Sequence, residues 1–391
     1  MTSFSLFRYS RICHSIAFAI AIFLSMAVPL FAQAATYTET ILFQFNPDTY
    51  GSYPYGGLIR DSAGNLYGTT FAGGTYGAGA VFEISSTGVY TTLYNFTGGT
   101  DGDRPYASLI RDSAGNLYGT TQLGGDTQYG TVFKLEPSGV ESVLHSFTSA
   151  EGNEPLSSLV RDRSGNIYGS TYFGGPSDNG GVFRLTPHGE CTFLHYFIGS
   201  TDGARPYAGL ILDASGNLYG TTYLGGTKDK GIVFEISSSG SETILHNFVG
   251  GTDGANPYSP LIRDEQGNLY GTTGRGGSAG NGTIFKLTPA GIETVLHSFS
   301  TQEGSFLTGG LLRDTAGNLY GTAQKGGAGT GGTVFEFTKA GTLLVLHSFD
   351  TREDGQYPWS GLVLDSQGNL YGTTSQGSDG GGDGVVFELT P

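Results

Sequence analysis

Residues 61–70 read Asp-Ser-Ala-Gly-Asn-Leu-Tyr-Gly-Thr-Thr, and residues 112–121 repeat the same ten residues. Close variants of this stretch begin at five further aspartates: Asp162, Asp213, Asp264, Asp314 and Asp365. Successive copies lie 50 or 51 residues apart along the chain. A period that never breaks indicates a tandem array of seven units, and this array fills residues 35–391 without space for a second domain.

Each unit contains four short runs with strand-like composition. In the second unit they span residues 108–112, 116–121, 130–135 and 141–147, which we name strands A, B, C and D. The turns from A to B and from C to D contain Asp or Ser, which bond the turn backbone, and Gly, which supplies a positive φ. Four antiparallel strands in about 50 residues predict one blade of a β-propeller. The predicted fold is therefore an all-β, seven-bladed β-propeller.

The two chain ends predict how this ring closes. The seventh unit stops after its C strand, at residues 385–390, whereas residues 39–45 form a spare D strand near the N-terminus. We predict that this N-terminal strand pairs with the last C strand and completes blade seven, which leaves no open sheet edge. Strand A then lines the axis and strand D the outside, in agreement with the small residues that precede strand A, where blades crowd most.

The composition agrees with this fold and excludes others. The 391 residues include 67 glycines and only 14 prolines, and 13% of them are aromatic. Disordered chains have few aromatic residues, and collagen needs glycine at every third position with abundant proline. Many short strands joined by tight turns are the remaining interpretation.

Residues 1–34 have the pattern of a signal peptide. Arg8 and Arg11 form a basic start, residues 16–31 are an apolar run, and Ala32-Gln33-Ala34 is a small-residue cleavage site. We predict cleavage after Ala34, export to the periplasm or the exterior, and no stable membrane insertion of the mature chain.

Charge and cysteine content limit the partners. The chain has 19 Lys and Arg against 34 Asp and Glu, a formal net charge of −15, and both Arg8 and Arg11 leave with the signal peptide. We therefore expect no nucleic-acid partner. Cys191 is the one cysteine after residue 34, so no intrachain disulfide forms. We expect a monomer that packing stabilises.

The motif Gly-Asn-Leu-Tyr-Gly-Thr-Thr is followed in the second unit by the pair Gly124-Gly125 and by Gly-Thr-Val-Phe at residues 130–133. This combination, present with variations in all seven units, resembles the GloVer tandem repeats of secreted bacterial proteins that carry varied surface anchors. The resemblance implies export and a propeller-like repeat array, and it implies no defined activity. We expect no C-terminal anchor of the family's kind in this chain.

Histidine recurs at one position of strand D, where the two other copies have Phe43 and Tyr94. We interpret these histidines as packed positions whose ring nitrogen finds a hydrogen bond, because they lie on different blades, too far apart to share one ion. The five are His145, His195, His246, His297 and His347.

Three other series also have structural interpretations. Each turn supplies one carboxylate before Gly-Asn, too few oxygens for calcium, so the repeated Asp is a turn cap. Cys191 has no evident base beside it. Arginine recurs at the end of strand A, as a local ion pair or a stem packed between blades. We therefore expect no metal, no cofactor and no catalytic residue.

The loops from D to A and from B to C are long and variable, and both lie on one face of the predicted ring. Function concentrates on variable loops that a rigid framework holds. Most D to A loops end in a Pro-aromatic pair, which places aromatic residues around one mouth of the central channel, with Leu156 and Thr308 in the remaining blades. The predicted ligand-binding residues are Tyr55, Tyr106, Tyr207, Tyr258 and Trp359, together with Arg104 and Arg205.

These patterns favour an exported, non-catalytic binding or surface-interaction module. A polysaccharide or cell-surface glycan is the expected partner, since amphipathic aromatic rings suit sugar stacking, although packing between blades also explains the ring. One alternative is a propeller enzyme that acts on a glycan or a sugar lactone, which would need a carboxylate pair or a metal cluster in the channel. The other is a purely structural envelope protein.

Overall fold

The structure is a computed structural model that describes Met1 and residues 37–46, 48–350, 354–377 and 382–391. Residues Ala34–Pro391 form one compact unit. The predicted signal peptide, apart from Met1, lies outside the described residues, so its cleavage stays a prediction.

Seven antiparallel sheets form the blades of a β-propeller, which confirms the predicted fold class: six sheets have four strands, and the second blade has a fifth short strand. Strand A of each blade is a two-residue strand: β2 (Ile59–Arg60), β7 (Ile110–Arg111), β11 (Val160–Arg161), β15 (Ile211–Leu212), β19 (Ile262–Arg263), β23 (Leu312–Arg313) and β27 (Val363–Leu364). Strand B follows: β3 (Leu66–Thr70), β8 (Leu117–Leu123), β12 (Ile167–Thr171), β16 (Leu218–Thr222), β20 (Leu269–Thr273), β24 (Leu319–Ala323) and β28 (Leu370–Thr374).

Strands C and D complete each blade outward. The C strands are β4 (Ala80–Ile84), β9 (Thr131–Leu135), β13 (Gly181–Leu185), β17 (Ile232–Ile236), β21 (Thr283–Leu287), β25 (Thr333–Phe337) and β29 (Val385–Thr390). The D strands are β5 (Tyr90–Asn95), β10 (Glu141–Ser146), β14 (Cys191–Tyr196), β18 (Glu242–Asn247), β22 (Glu293–Ser298), β26 (Leu343–Ser348) and β1 (Thr38–Gln44). Two short elements lie in D to A loops: β6 (Asp103–Pro105), which pairs with β8, and a 3-10 turn at Gly251–Asp253.

Strand A is shorter than the sequence analysis predicted for residues 108–112. Only Ile110 and Arg111 pair with β8. The preceding residues turn toward neighbouring blades instead, as where the Gly57 N–H donates to Ser108 Oγ of the next blade at 2.7 Å. Seven segments of the chain, one per blade, converge at the axis. This crowding ends the hydrogen-bond ladder between strands A and B early.

The ring closes as predicted. Strand β1 pairs antiparallel with β29, from Thr38 opposite Thr390 to Gln44 opposite Val385. The last sheet therefore has the order β1, β29, β28, β27, with its outer strand from the N-terminal end of the chain. This arrangement covers the edge of β29, which would otherwise be free to pair with another chain.

The hydrophobic core consists of seven clusters, and each lies between two neighbouring blades. One cluster joins Val132 and Phe147 of the second blade to Leu159, Ile167 and Phe183 of the third. The cluster at the closure joins Phe45 and Val386 of the last blade to Leu58, Leu66 and Phe82 of the first. Because every blade buries both faces against neighbours, a blade has no complete core alone.

The repeated turn aspartate is a cap, as the sequence analysis predicted. One oxygen of Asp61 accepts the backbone N–H of Ala63 at 3.0 Å and that of Asn65 at 2.9 Å. The other accepts from the Asn65 side chain and the Tyr67 hydroxyl, both at 3.1 Å. Burial raises the pKa of Asp61, but these hydrogen bonds lower it by more, so the net pKa is below its usual value.

The glycine of the Leu-Tyr-Gly motif lies opposite a fully buried phenylalanine of strand C. Gly220 in β16 pairs with Phe234 in β17. A Cβ at Gly220 would lie 2.6 Å from Cζ of Phe234 and 2.8 Å from Cδ2 of Leu210. The same contact recurs in all seven blades, so the glycine leaves the space that each phenylalanine ring fills.

Deleting residues 38–44 should expose the edge of β29 and remove apolar contacts from the last blade. We expect the free energy of unfolding to fall by about 5 kcal/mol, because three large apolar side chains of β1 lose their burial. Chemical denaturation and sedimentation velocity test this, with an equal deletion before residue 34 as the control. Equal stability and an unchanged oligomeric state would contradict the closure.

Replacing Gly220 with Ala should destabilise the protein by about 1–3 kcal/mol, because the added methyl group overlaps the Phe234 ring. The second change Phe234→Leu shortens that side chain and should recover part of the loss. Urea denaturation of the two single variants and the double variant measures this coupling. Additive effects of the two substitutions would show that the contact is unimportant.

Candidate functional site

A pocket of about 230 Å³ lies at the axis, and all seven blades contribute to its lining. Each blade supplies residues just before its strand A, which confirms that strand A is the innermost strand. The lining combines aromatic rings with Gly, Ala, Ser, Thr, Pro and Leu. In the part of the chain that the structure describes, no carboxylate, imidazole, ammonium or guanidinium group lines this pocket.

The five predicted mouth aromatics form one continuous arc of contacts. The ring of Tyr55 stacks on that of Tyr106, with centroids 5.1 Å apart, and meets the edge of Trp359 at 5.5 Å. Tyr106 meets Tyr207 edge to face at 5.8 Å, and Tyr207 meets Tyr258 at 5.1 Å. Because Tyr106 contacts Tyr207 directly, the arc passes over the third blade, where this position is a leucine.

Two members of the arc are also linked by a polar contact. The Tyr207 hydroxyl donates a hydrogen bond to the Tyr106 hydroxyl. Burial, and then the neighbouring Tyr207, raises the pKa of Tyr106 well above its usual value. Burial also raises the pKa of Tyr207 and of Tyr258. These hydroxyls are therefore neutral hydrogen-bonding groups at physiological pH.

Seven residues beside the mouth have left-handed backbone conformations, with φ between 50° and 62°. They occupy one position per blade, two before the aromatic position: Tyr53, Arg104, Glu154, Arg205, Asn256, Phe306 and Tyr357. Each of their N–H groups donates to a carbonyl in the B to C loop of the preceding blade, as Arg205 does to Asn179 at 2.9 Å. These interblade bonds hold a conformation that non-glycine residues rarely adopt.

Two of these seven residues are the arginines that the sequence analysis included in the site. The Arg104 guanidinium lies 5.5 Å from the Phe71 ring centroid. The Arg205 guanidinium lies 3.9 Å from the ring of Phe173, with Nη1 buried and without a hydrogen-bond partner among the described residues. Both arginines are outside the axial lining, so they belong to the rim of the mouth.

The sequence analysis missed the polar residue between these arginines. Glu154 occupies the equivalent position in the third blade and accepts a hydrogen bond from Gln122 Nε2 at 3.0 Å. Five residue types occupy this position in the seven blades, whereas the next residue is proline in six of them. This variation at one position of the repeat was the sequence signal that could have identified Glu154. The rim over blades two to four therefore carries Arg104, Glu154 and Arg205.

The five histidines lie on the outside of the ring, one per blade from the second to the sixth. Each ring packs edge to face against the phenylalanine two residues later, at centroid distances of 4.6 to 5.1 Å. Each Nε2 also faces a carboxylate of the following D to A loop, at 2.5 to 3.7 Å. The predicted packing is present. The predicted hydrogen bond of the ring nitrogen is present for His145 and His246, but Nε2 of His195, His297 and His347 has none among the described residues.

Carboxylates also enter these outer clefts from the next blade. Glu242, at the start of β18, lies 3.7 Å from His195 Nε2 of the third blade. Burial, and then the charge of Asp202, raises the pKa of Glu242 to about 7. Burial, and then Asp354, likewise raises the pKa of Glu39 to about 8.

Cys191 is a buried thiol, and the strand-A arginines pack between neighbouring blades. Burial, and then the charge of Glu151, raises the pKa of the Cys191 thiol to about 12, so the thiolate is scarce. The Arg111 guanidinium lies 5.6 Å from the Tyr67 ring of the preceding blade. Arg161 and Arg263 make the same interblade contact with Tyr118 and Tyr219.

The fold and the mouth define a seven-bladed β-propeller with a neutral, aromatic-lined axis. The sequence signature of the Gloeobacter/Verrucomicrobia repeat family matches residues 30–228 and 208–391. The chain belongs to this family, which confirms the resemblance to the GloVer repeats.

Solved structures of similar fold have mixed functions. The virginiamycin B lyase of Staphylococcus aureus aligns with a TM-score of 0.59 at 13% identity, over 91% of this chain and 99% of that one. An extracellular domain assigned to a hybrid two-component system of B. thetaiotaomicron aligns with a TM-score of 0.57 at 16% identity, over 91% of this chain and 41% of that one. At such identities the likeness shows the fold alone.

A third structure, assigned as a 6-phosphogluconolactonase from Bacteroides uniformis, aligns with a TM-score of 0.50 at 17% identity, over 75% of this chain and 84% of that one. The comparison with curated proteins gives no matching relative. Within the described residues, no helix has the length and apolar character needed to cross a membrane.

Replacing Tyr207 with Phe should remove the hydroxyl that donates to Tyr106 while the ring contacts remain. We expect a loss of about 1–3 kcal/mol, because the half-buried Tyr106 hydroxyl loses its partner, and a shifted emission of Trp359, whose ring belongs to the same arc. Urea denaturation followed by Trp359 fluorescence measures both. Tyr76→Phe, at a tyrosine that is 62% exposed, is the control. Unchanged stability of the Tyr207 variant would exclude a stabilising hydrogen bond to Tyr106.

Proposed function

We propose that this protein is an exported, non-catalytic binding module whose mouth face holds a neutral glycan. The observation that carries this proposal is the arc of five amphipathic aromatic rings around a pocket lined only by neutral side chains.

Carbohydrates suit this surface for two reasons. The C–H face of a pyranose ring stacks on aromatic rings, while its hydroxyl groups exchange hydrogen bonds with polar groups at the ring edges. The mouth supplies both, because Tyr55, Tyr258 and Trp359 are half-buried and the phenolic hydroxyls stay neutral. A charged ligand would find no counter-charge in the axial lining.

The rim supports selectivity within this ligand class. The backbone of Arg104, Glu154 and Arg205 is held in left-handed conformations, so each side chain extends from a fixed Cα position. Stacking interactions bind many sugars, whereas hydrogen bonds from fixed polar groups discriminate among hydroxyl patterns. The sector of blades two to four is therefore the part of the mouth that selects the sugar.

Export and a cell-surface partner form part of the same proposal. The basic start, the apolar run and the Ala-Gln-Ala site within residues 1–34 support secretion or a periplasmic location. A neutral polysaccharide outside the cell is compatible with an acidic protein surface, and nucleic acid is not.

The enzyme alternative has less support. Glycan cleavage needs two carboxyl groups about 5–10 Å apart across the bond, and metal-assisted chemistry needs a ligand cluster beside the substrate. The described axial lining offers only hydroxyls as ionisable groups, and burial raises the pKa of its tyrosines. A purely structural role would leave the aromatic arc without a ligand, and the following experiment separates it from binding.

Because Trp359 is the one tryptophan, its fluorescence reports on the mouth alone. We expect neutral oligosaccharides to shift or quench this emission with a Kd of roughly 1 µM to 1 mM, the range of stacking plus a few hydrogen bonds. Titration with a panel of gluco-, manno-, xylo- and galacto-oligosaccharides tests this, and calorimetry confirms the affinity.

The variants Tyr55→Ala and Tyr258→Ala should weaken binding at least about tenfold, while Tyr76→Ala, away from the arc, should leave it unchanged. The melting temperature of each variant controls for stability. If the whole panel leaves the emission flat and both mouth variants lose several kcal/mol of stability, the arc is a packing feature and the glycan proposal is wrong.

A further inference from the structure

The outer clefts between neighbouring blades contain a second arrangement of functional groups. These groups lie on strands D at the outside of the ring, whereas the mouth residues precede strand A at the axis. Each cleft brings together the histidine position of one strand D, the acid six or seven residues later in its D to A loop, and a residue at the start of the next strand D. Two clefts contain one histidine and two carboxylates with ligand atoms all within 4.8 Å: His195, Asp202 and Glu242, and His347, Asp354 and Glu39.

The spacing in these two clefts is closer to that between two ligands of one metal ion than to the length of a charge-assisted hydrogen bond. His195 Nε2 lies 3.3 Å from Asp202 Oδ2 and 3.7 Å from Glu242 Oε2. His347 Nε2 lies 3.5 Å from Glu39 Oε2 and 3.7 Å from Asp354 Oδ2. Charge-assisted N–H···O bonds are about 2.7–2.9 Å long. Two ligands bound about 2.0–2.2 Å from a tetrahedral Zn²⁺ lie roughly 3.3–3.6 Å apart.

Buried polar atoms in both clefts give a second, independent observation. His195 Nε2 and Glu242 Oε1 are buried and have no hydrogen-bond partner in the described part of the chain, and the same holds for His347 Nε2 and Glu39 Oε1. The Glu242 side chain is only 13% exposed, whereas Asp202 already accepts hydrogen bonds from the backbone N–H groups of Ile198 and Gly199. Buried atoms such as His195 Nε2 and Glu242 Oε1 are expensive without a partner, and an ion at the centre of the cleft would be a partner for both.

We propose that each of these two clefts binds one divalent transition-metal ion, with Zn²⁺ as the representative ion. A neutral imidazole nitrogen with two carboxylate oxygens is a ligand set that Zn²⁺ accepts, and the two negative charges balance the ion. Calcium and magnesium prefer all-oxygen sites with six or more ligands, which these clefts do not supply.

The other clefts contain natural comparisons. The cleft after the fifth blade has His297 and Glu303, but Leu343 replaces the second carboxylate. The cleft after the first blade has Asp101 and Glu141, but Tyr94 replaces the histidine and donates to Asp101 at 2.9 Å. In the cleft after the fourth blade, His246 already makes a 3.0 Å hydrogen bond to Asp253. The proposal therefore assigns two sites to the chain and not seven.

The second site has a consequence for ring closure. Glu39 lies in β1, the N-terminal strand of the last blade, while His347 belongs to β26 of the sixth blade. An ion held between them ties the closing strand to its neighbour across a blade interface. Ligand binding to the folded state alone raises apparent stability, so the ion should stabilise the closed ring.

The test uses untagged protein from the full chain, stripped with chelator and titrated with Zn²⁺ by calorimetry in a buffer that does not bind metal. We expect two Zn²⁺ per chain, with a Kd of about 1 µM or lower, and a melting temperature higher by roughly 5 °C at saturation. A Co²⁺ titration should give the visible absorption of a tetrahedral site with the same stoichiometry. An equal concentration of Ca²⁺ should not displace Zn²⁺.

The chain itself supplies substitutions that its fold accepts at equivalent positions. Glu242→Leu copies Leu343, and His347→Phe copies Phe43, so each should remove one site and leave the fold intact. The combined variant should bind no Zn²⁺, and the control His297→Phe should still bind two. A stoichiometry that these changes do not lower, binding in the combined variant, or displacement by Ca²⁺ would each overturn the proposal. None of these outcomes depends on glycan binding at the mouth.

Discussion

The close contact between a strand-B glycine and a strand-C phenylalanine is the constraint on which the blades depend. In each blade the ring of the phenylalanine occupies the space where a glycine Cβ would lie, as Phe234 does at Gly220. The contact sets the register of the two central strands, and a slip of one residue would move the ring to the opposite face. Because the seven buried rings then point into the interblade clusters, the same contact determines how neighbouring blades pack.

The repeated framework leaves two kinds of position free to differ between blades. At the axis, one position per blade faces a shared space, so seven residues can act on a single ligand. At the outer clefts, a position meets only its counterpart in the adjacent blade, so a site there needs the right residues in two consecutive units. This geometry explains why the aromatic arc is a single surface, whereas the clusters of histidine and carboxylates are separate and occur in pairs of blades.

Backbone strain is concentrated at the mouth. The left-handed residues before the prolines, such as Arg205, are held because their N–H groups bond the preceding blade and their carbonyls accept from the end of strand B, as with Tyr223 at 3.0 Å. Residues in such conformations persist only where the surroundings determine them, and they occur often at binding sites. The mouth therefore presents variable side chains from a backbone that two blades hold in place.

The sequence alone determined the number of blades, the identity of three of the four strands, the closing role of residues 39–45 and the turn cap at Asp61. These features follow from contacts within about 50 residues, such as the bonds of Asp61 to Asn65 and Tyr67, or from complementary chain ends. The sequence also placed Tyr106, Tyr207 and Trp359 around one mouth, because equivalent positions of the repeats lie at the same level along the axis of the ring. It did not determine that the Tyr207 hydroxyl bonds that of Tyr106, or that His195 faces Glu242 of the next blade. Only the tertiary structure decided these contacts, because they depend on the rotation between blades and on the side-chain directions at each interface, which a repeat period does not specify.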